Sequence, residues 1–280
     1  MPELPEVETI RRALAPRVQG RRLAAVEILD ARWSRPLAPD ELAAGLEGRR
    51  VERLGRRGKY LLWELEDEVT LIQHLRMTGT LLFDPPGEPS HVRVRIALDD
   101  GHRLRYTDPR RFGTGELALG RPALEAFLDA RLGPEPFDAE CTPAGLRRAG
   151  RGRTAPIKAF LLDQRRIAGV GNIYADEALH RAGIHPLRPA GSLRLAQWEA
   201  LHAGVVAALQ AGIDAHGASI DDFRDPDGAR GTFQDTFLVH RRAGEPCPAC
   251  GGPVRKLVAA GRGTYVCERC QPRPRRRAAR

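Results

Sequence analysis

Lysine is nearly missing from this chain. Of 45 basic side chains only Lys59, Lys158 and Lys256 are lysines, a bias that genome composition alone can produce. Methionine is scarcer still, with Met77 the single one after the initiator. No long apolar run occurs: the longest weakly polar stretch, Ala203–Ile213, is far too short to span a bilayer. The opening Met1-Pro-Glu-Leu-Pro-Glu is acidic and broken by proline, so it reads as no secretory signal. Cysteine is sparse and odd in number, five in all with four in close pairs, which argues against a disulfide framework in 280 residues. The expectation is a soluble cytoplasmic protein. With 42% hydrophobic and 29% charged residues, wholesale disorder is also excluded, and the length suits one large or two ordinary domains.

What the chain does have is a formal charge of +9, and its distribution is uneven. Residues 1–133 hold 22 basic and 21 acidic side chains, residues 134–236 hold 12 and 13, and residues 237–280 hold 11 and 2. The first two segments cancel, so the whole excess lies in the last 44 residues. A basic excess points to an anionic partner, most often nucleic acid.

Val7, Ile10, Leu14 and Val18 recur at helical spacing and predict a helix over residues 3–18. Short alternating runs follow at Leu23–Leu29, Arg50–Leu54, Tyr60–Leu65, Val69–His74, Leu81–Phe83, Val92–Leu98 and Arg103–Tyr106, with a helix from Pro39 to Leu46 among them. Turns such as Asp99-Asp100-Gly101 make this an antiparallel pattern. Residues 133–153 read as a linker, with Gly133-Pro-Glu-Pro at its start and four Arg and two Gly in Arg147–Arg153. Helices are expected at Ile157–Gln164, Ile173–Ala182 and Leu193–Ala211, with a short piece near Ser219–Phe223. No internal repeat is present. The reading is a β-rich domain, then a helical domain, then a Cys-rich module and an Arg/Pro tail.

Cys247-Pro-Ala-Cys250, sixteen residues, then Cys267-Glu-Arg-Cys270 has four-cysteine zinc spacing. Four thiolates close a tetrahedron and leave no open position, so one structural Zn²⁺ is expected; free buried thiols are the bland alternative. Cys141 is left over as an incidental small residue. The other candidate chemistry lies at the start. Once Met1 is removed, Pro2 is a secondary amine with a pKa of roughly 8, about a tenth free base at neutral pH. Such an amine is a nucleophile that needs no burial, and its attack on a sugar C1′ or an aldehyde gives an iminium electron sink. Glu3 and Glu6 stand beside it to move protons. Taken alone, Pro and Glu in a first turn are ordinary helix-start chemistry.

The opening Met1-Pro-Glu-Leu-Pro-Glu-Val-Glu-Thr-Ile-Arg-Arg resembles that of the formamidopyrimidine-DNA glycosylases, bifunctional base-excision enzymes. Further blocks agree in order: Arg57-Gly-Lys59-Tyr, His74-Leu-Arg-Met77-Thr-Gly, Asp108-Pro-Arg-Arg-Phe-Gly113, Gly169-Val-Gly-Asn172-Ile-Tyr-Ala, Ala182-Gly-Ile-His-Pro186 and the Cys-rich end. Each is modestly specific, but together they cover nearly the whole chain. The resemblance implies an α+β fold. It comprises an N-terminal antiparallel β-sandwich catalytic domain with flanking helices (1–133), a linker (134–152), a helical helix–two-turns–helix domain (153–236), a zinc finger (237–272) and a basic tail (273–280).

By the same resemblance Pro2 is the Schiff-base nucleophile, Glu3 the acid/base, Glu6 a more indirect support, and Lys59 a phosphate contact and proton donor for β-elimination. The lesser alternative for Lys59 is a solvated strand cation among arginines. Met77, Arg110 and Phe112 match the set that fills the gap left by a flipped nucleotide, with Arg110 on the orphaned cytosine; without the resemblance Met77 and Phe112 read as core. Asn172, Lys158, Arg153 and His91 are implied phosphate or DNA contacts, and His74 is a weaker one with a core alternative. Arg153 stands where the family has lysine. Arg262, in Arg262-Gly-Thr-Tyr-Val-Cys267, is implied to clamp the lesion's phosphates and assist δ-elimination. Ser219–Arg224 falls where the family has a mobile loop over the extruded base.

The implied activity is excision of oxidised purines, 8-oxoguanine opposite cytosine and formamidopyrimidines, with AP-lyase β,δ-elimination. The site is expected in the cleft between the two domains of a nucleoid-associated bacterial monomer acting on double-stranded DNA that carries oxidised bases or abasic sites. No membrane partner and no cofactor beyond zinc is implied. Two rivals stay open: an endonuclease VIII-like glycosylase for oxidised pyrimidines, and a non-catalytic zinc-dependent DNA-binding protein.

Overall fold

A computed structural model describes residues 2–220 and 223–274. The chain divides into two compact units, Met1–Arg131 with Gly212–Gln234, and Leu132–Ala211 with Asp235–Arg280.

The first unit begins with helix α1, Leu4–Val18, whose Val7, Ile10, Leu14 and Val18 enter the core at the expected spacing. Glu3 is its N-cap and Pro5 lies in its first turn, where a missing N–H costs nothing. Strands β1 (Leu23–Ile28), β5 (Thr80–Phe83), β6 (Val92–Leu98) and β7 (Arg103–Thr107) form an antiparallel sheet in the order β1-β6-β7-β5. Strands β2 (Val51–Arg57), β3 (Tyr60–Leu65), β4 (Val69–His74) and β8 (Thr114–Leu119) form a second, in the order β2-β3-β4-β8. Helix α2, Pro39–Leu46, adds Leu42 and Leu46 to the core that both sheets share. The unit is thus a β-sandwich.

Strand β3 explains its own apolar run Tyr60–Trp63. Leu61, Trp63 and Leu65 face the shared core, while Tyr60 and Leu62 lie on the outer face. That outer face is covered by helix α3, Arg121–Asp129, through Leu124, Phe127 and Leu128. A strand buried on both faces loses its polar alternation.

In the second unit, α4 (Pro143–Gly150), α5 (Ile157–Leu162), α6 (Asn172–Arg181) and α7 (Leu195–Asp214) follow in order. The segment expected to be a linker therefore contains a helix. Thr142 caps it by accepting from Gly145 N–H, and Pro143 sits at its first position. A Cβ at Gly204 would meet the Ala178 carbonyl at 2.7 Å, so this glycine lets α7 lie against α6. Strands β9 (Arg255–Ala259) and β10 (Arg262–Val266) make the terminal hairpin. Its two-residue turn has Ala260 at φ 53° and Gly261 at φ 69°, the twist-matched geometry for so short a connection.

Two further expectations differ from what is observed. Residues 212–234, assigned by sequence to the helical domain, belong to the sandwich unit. Ala218 N–H donates to the Glu6 carboxylate, Phe83 N–H to the Pro226 carbonyl, and Arg17 pairs with Asp227 at 2.5 Å. The described residues of the short piece near Ser219–Phe223 are not helical; Asp221 and Asp222, within the loop over the base, lie outside the described residues, as do Met1 and residues 275–280 of the basic tail. Among the described residues no helix is long and apolar enough to cross a membrane.

Candidate active site and metal centre

Pro2, Glu3 and Glu6 are all buried at the start of α1. The Glu6 carboxylate is held from two directions, accepting from Glu3 N–H at 2.8 Å and from Ala218 N–H at 2.8 Å. Charge-assisted bonds to backbone N–H groups are among the stronger ones, so Glu6 ties the helix start to the 217–218 segment. A Cβ at Gly217, where φ is +82°, would meet Glu6 Cγ at 2.9 Å, so glycine is required for both reasons.

Lys59 lies in the turn joining β2 to β3, and only 5% of it is exposed, which excludes the solvated strand cation. Next to it Arg56 donates to the Gly58 carbonyl and pairs with Glu8 of α1 at 3.2 Å, fastening this turn to the helix that carries Glu3. Glu8 also pairs with Arg11 and Arg12. Burial opposes its charge, yet these guanidiniums win and hold its carboxyl at about 2. His74 lies at the end of β4. It is buried, its Nδ1 accepts from Arg76 N–H at 2.9 Å, and Tyr60 packs edge-on at 4.8 Å. Burial, helped by the charges of Arg76 and Lys59, pushes its pKa down to about 3. With Nδ1 accepting, the neutral ring keeps an Nε2–H donor, so its packing role and a DNA contact are compatible.

The gap-filling candidates stand at the surface. Phe112 is 51% exposed, with the Arg110 guanidinium 4.8 Å from its ring centre; Met77 is half-buried, and His91 is exposed. Arg76, His91 and Arg111 all have positive φ, 54°, 60° and 59°, so each of the three loops carries a strained non-glycine residue. Neighbouring arginines divide their tasks: Arg111 is pinned to buried Asp30 by two bonds of 2.6 and 2.8 Å, while Arg110 is exposed.

In the second unit Lys158 is not a surface cation: it is fully buried, its ammonium pairs with Asp176 at 2.7 Å and donates to Thr264 Oγ1 at 2.8 Å and the Gly263 carbonyl at 3.3 Å. His240 Nδ1 lies 2.8 Å from the other Asp176 oxygen. The Asn172 amide donates to the same Gly263 carbonyl at 3.1 Å. Lys158 and Asn172 thus converge on the backbone directly behind Arg262, whose own side chain is exposed at the start of β10. Arg153 is exposed, with its Nε on the Ala149 carbonyl. For Asp176, which directly follows the Gly169–Ala175 block, the sequence carried little signal, and for Asp108 it showed only an acid at the start of the Asp108–Gly113 block.

The four cysteine sulfurs lie within 4.8 Å of one another, with Cys247–Cys270 at 3.8 Å and Cys250–Cys267 at 3.4 Å. A tetrahedron with Zn–S bonds of about 2.3 Å has edges of about 3.8 Å, so the set fits one zinc. Two groups address the sulfurs: Gly252 N–H donates to Cys250 at 3.4 Å, and His180 Nε2 lies 3.3 Å from buried Cys247. The Gly252 bond, with the neighbouring thiols, lowers Cys250 to about 7. Cys141 is buried away from them, its thiol raised to about 11 by burial.

A β-sandwich with a buried acid cluster at its first helix, joined to a helical unit with a four-thiolate hairpin, is the architecture of a DNA-repair glycosylase. Family profiles match along the chain: the formamidopyrimidine-DNA glycosylase N-terminal domain at residues 1–115, the formamidopyrimidine-DNA glycosylase H2TH domain at 132–224, and the zinc finger found in FPG and IleRS at 244–273. A formamidopyrimidine-DNA glycosylase of Chloroflexus aurantiacus is 49% identical over 275 residues, covering 97% of this chain and 98% of that protein. The structure of the MutM (FPG) protein from Thermus thermophilus superposes with a TM-score of 0.88 at 43% identity, covering 98% of this chain and all of that one. Lactococcus lactis Fpg in complex with abasic-site DNA gives 0.88 at 37% identity over 97% of this chain and 100% of that one. Other complexes of the Lactococcus enzyme contain Fapy-dG DNA and oxidised-pyrimidine DNA. The chain belongs to the formamidopyrimidine-DNA glycosylase family, and it is a base-excision repair glycosylase with one structural zinc finger.

Proposed function

We propose that this chain excises 8-oxoguanine opposite cytosine and formamidopyrimidines from double-stranded DNA, working as a monomer in the bacterial cytoplasm at the nucleoid, and then cleaves the strand as an AP lyase. The observation that carries the reading is the buried carboxylate pair Glu3 and Glu6 directly after Pro2, with Glu6 fixed by two backbone N–H donors.

Pro2 nitrogen forms a bond to C1′ as the bond from C1′ to the base breaks, and the amine proton leaves. Glu3 supplies a proton to O4′ as the sugar ring opens, which leaves a C1′=N⁺ iminium. Loss of a C2′ proton then expels the 3′ phosphate, and loss of a C4′ proton expels the 5′ phosphate. Lys59, buried and yet able to change protonation state as Arg cannot, serves the first elimination. Arg262 clamps phosphate for the second. Met77, Arg110 and Phe112 fill the vacated stack, and His91, Arg153 and Asn172 at the start of α6 contact the DNA backbone. The zinc supplies no reacting group; its four cysteines fix the hairpin that presents Arg262.

Borohydride trapping on 8-oxoguanine:C duplex tests this. The native chain should give a covalent adduct, and a form that retains Met1, whose Pro2 nitrogen is an amide, should give none. No adduct with the native chain leaves a non-catalytic DNA-binding protein. A strong preference for thymine glycol:A over 8-oxoguanine:C gives the endonuclease VIII-like reading instead.

A further inference from the structure

Three loops of the sandwich unit carry the proposed DNA-contacting side chains: the Met77 loop, the His91 turn and the Arg110–Phe112 loop. They are far apart in sequence, and all three meet one buried residue. Asp108 is 1% exposed. Its Oδ1 accepts from Thr78 Oγ1 at 2.5 Å and from Arg110 N–H at 3.2 Å. Its Oδ2 accepts from Phe112 N–H at 2.9 Å, from Gly113 N–H at 2.8 Å and from the Tyr106 hydroxyl at 3.4 Å. Its own N–H donates to the His91 carbonyl, and its carbonyl accepts from Arg93 Nε at 2.9 Å.

Space around this carboxylate is closed as well. A Cβ at Gly113 would meet the Tyr106 hydroxyl at 1.7 Å, and one at Gly79 would meet it at 2.5 Å. Both loops are therefore drawn onto the same phenol, with no room for either to shift alone. A buried carboxylate this fully satisfied specifies one arrangement, because moving any donor away leaves a charge unpaired in a low-dielectric surrounding.

We propose that Asp108 is a positioning residue that couples the Met77 loop to the Arg110–Phe112 loop, so that the two enter the duplex as one rigid piece. The link between the loops is the Thr78 hydroxyl on Oδ1; the bonds to Oδ2 cap the second loop. The inference rests on the glycosylase reading and deepens it, because two separately mobile fillers would have to find the gap independently, while one preorganised wedge meets the entropic cost once.

The test uses the full-length zinc-loaded chain with Asp108→Asn, Thr78→Val and Thr78→Ser. Asparagine presents N–H₂ toward backbone donors, valine removes the bridging hydroxyl while keeping the shape, and serine keeps the hydroxyl. A 2-aminopurine beside 8-oxoguanine reports wedge insertion, single-turnover excision reports the outcome, and borohydride trapping on a preformed abasic site needs no base to be extruded. Thr78→Val should slow both the fluorescence phase and excision by about tenfold, and Asp108→Asn by up to about a hundredfold, with abasic-site trapping changed less than about threefold. Thr78→Ser should restore native rates.

Native insertion and excision rates in Thr78→Val would overturn the coupling, and so would equal losses in excision and abasic-site trapping. If Asp108→Asn does not fold, the Thr78 pair decides the question by itself. Failure of the native chain to trap abasic DNA would instead sink the glycosylase reading, so the two failures are distinguishable.

Discussion

The start of α1 and the terminal hairpin both present residues assigned to the chemistry, and they are built by opposite means. At α1 both acids are buried and Glu6 is fixed by backbone donors that belong to the fold, so the arrangement exists once the sandwich has folded. At the hairpin the assigned residue, Arg262, is exposed, and what is fixed lies behind it: the Lys158–Asp176 pair, the Asn172 amide on Gly263 and a four-sulfur metal site. The lesson is that one region dries and fixes its carboxylates, while the other fixes the support and leaves its guanidinium exposed.

The comparison can be broken most forcefully on the α1 side. Glu3→Gln should lower base excision by about 10²–10⁴-fold, read in single turnover, with zinc content unchanged; loss of zinc would mean that the two regions are not independent. Next, Asp176→Ala leaves the Lys158 ammonium buried without its counter-charge and should destabilise the protein by about 3–5 kcal/mol. Breaking the exposed Arg53–Glu64 pair of the sandwich, in contrast, should cost about 0–1 kcal/mol. Denaturant unfolding of both variants checks the contrast.

On the metal side, His180→Phe removes the ring nitrogen beside Cys247. Release of zinc to a chelator should become about tenfold easier, since such outer partners contribute about 10–100-fold to metal affinity. Borohydride trapping should remain. The smallest effect concerns acid stability of the sandwich unit. Glu8 titrates at about 2 in the folded chain against 4.5 ordinarily, so the unfolded chain binds the proton first and stability falls as pH drops from about 4.5 toward 2. His74, neutral in the fold down to about 3, makes the unfolded chain the better proton acceptor below 6.5, so its contribution also falls toward acid. Thermal unfolding across pH should be flattened below about 4.5 by Glu8→Gln and below about 6.5 by His74→Phe.

Much of the fold was legible because its signals are local. Strands β3, β4 and β6 and helix α2 lie where their alternation or spacing places them. Strand β8 was missed because Gly115 reads as a turn residue; it is glycine because Trp33 would lie 2.3 Å from a Cβ there. Helix α4 was hidden by its arginines and glycines, although Thr142-Pro143 was a visible start signal. The family resemblance named candidate residues without their surroundings, so the enclosure of Lys158 and His74 was not legible in the sequence.

The sequence by itself determined the ligand spacing of the cysteines, the order of motifs along the chain, and the helix that follows Pro2 and Glu3, since each depends on neighbours a few residues away. Only the tertiary structure decided which charges are dry. Lys158 meets Asp176 from 18 residues off and Thr264 from 106, and Glu6 meets Ala218 from 212. Whether a cation serves phosphate or the core is set by the dielectric and the partners around it, and those come from distant parts of the chain.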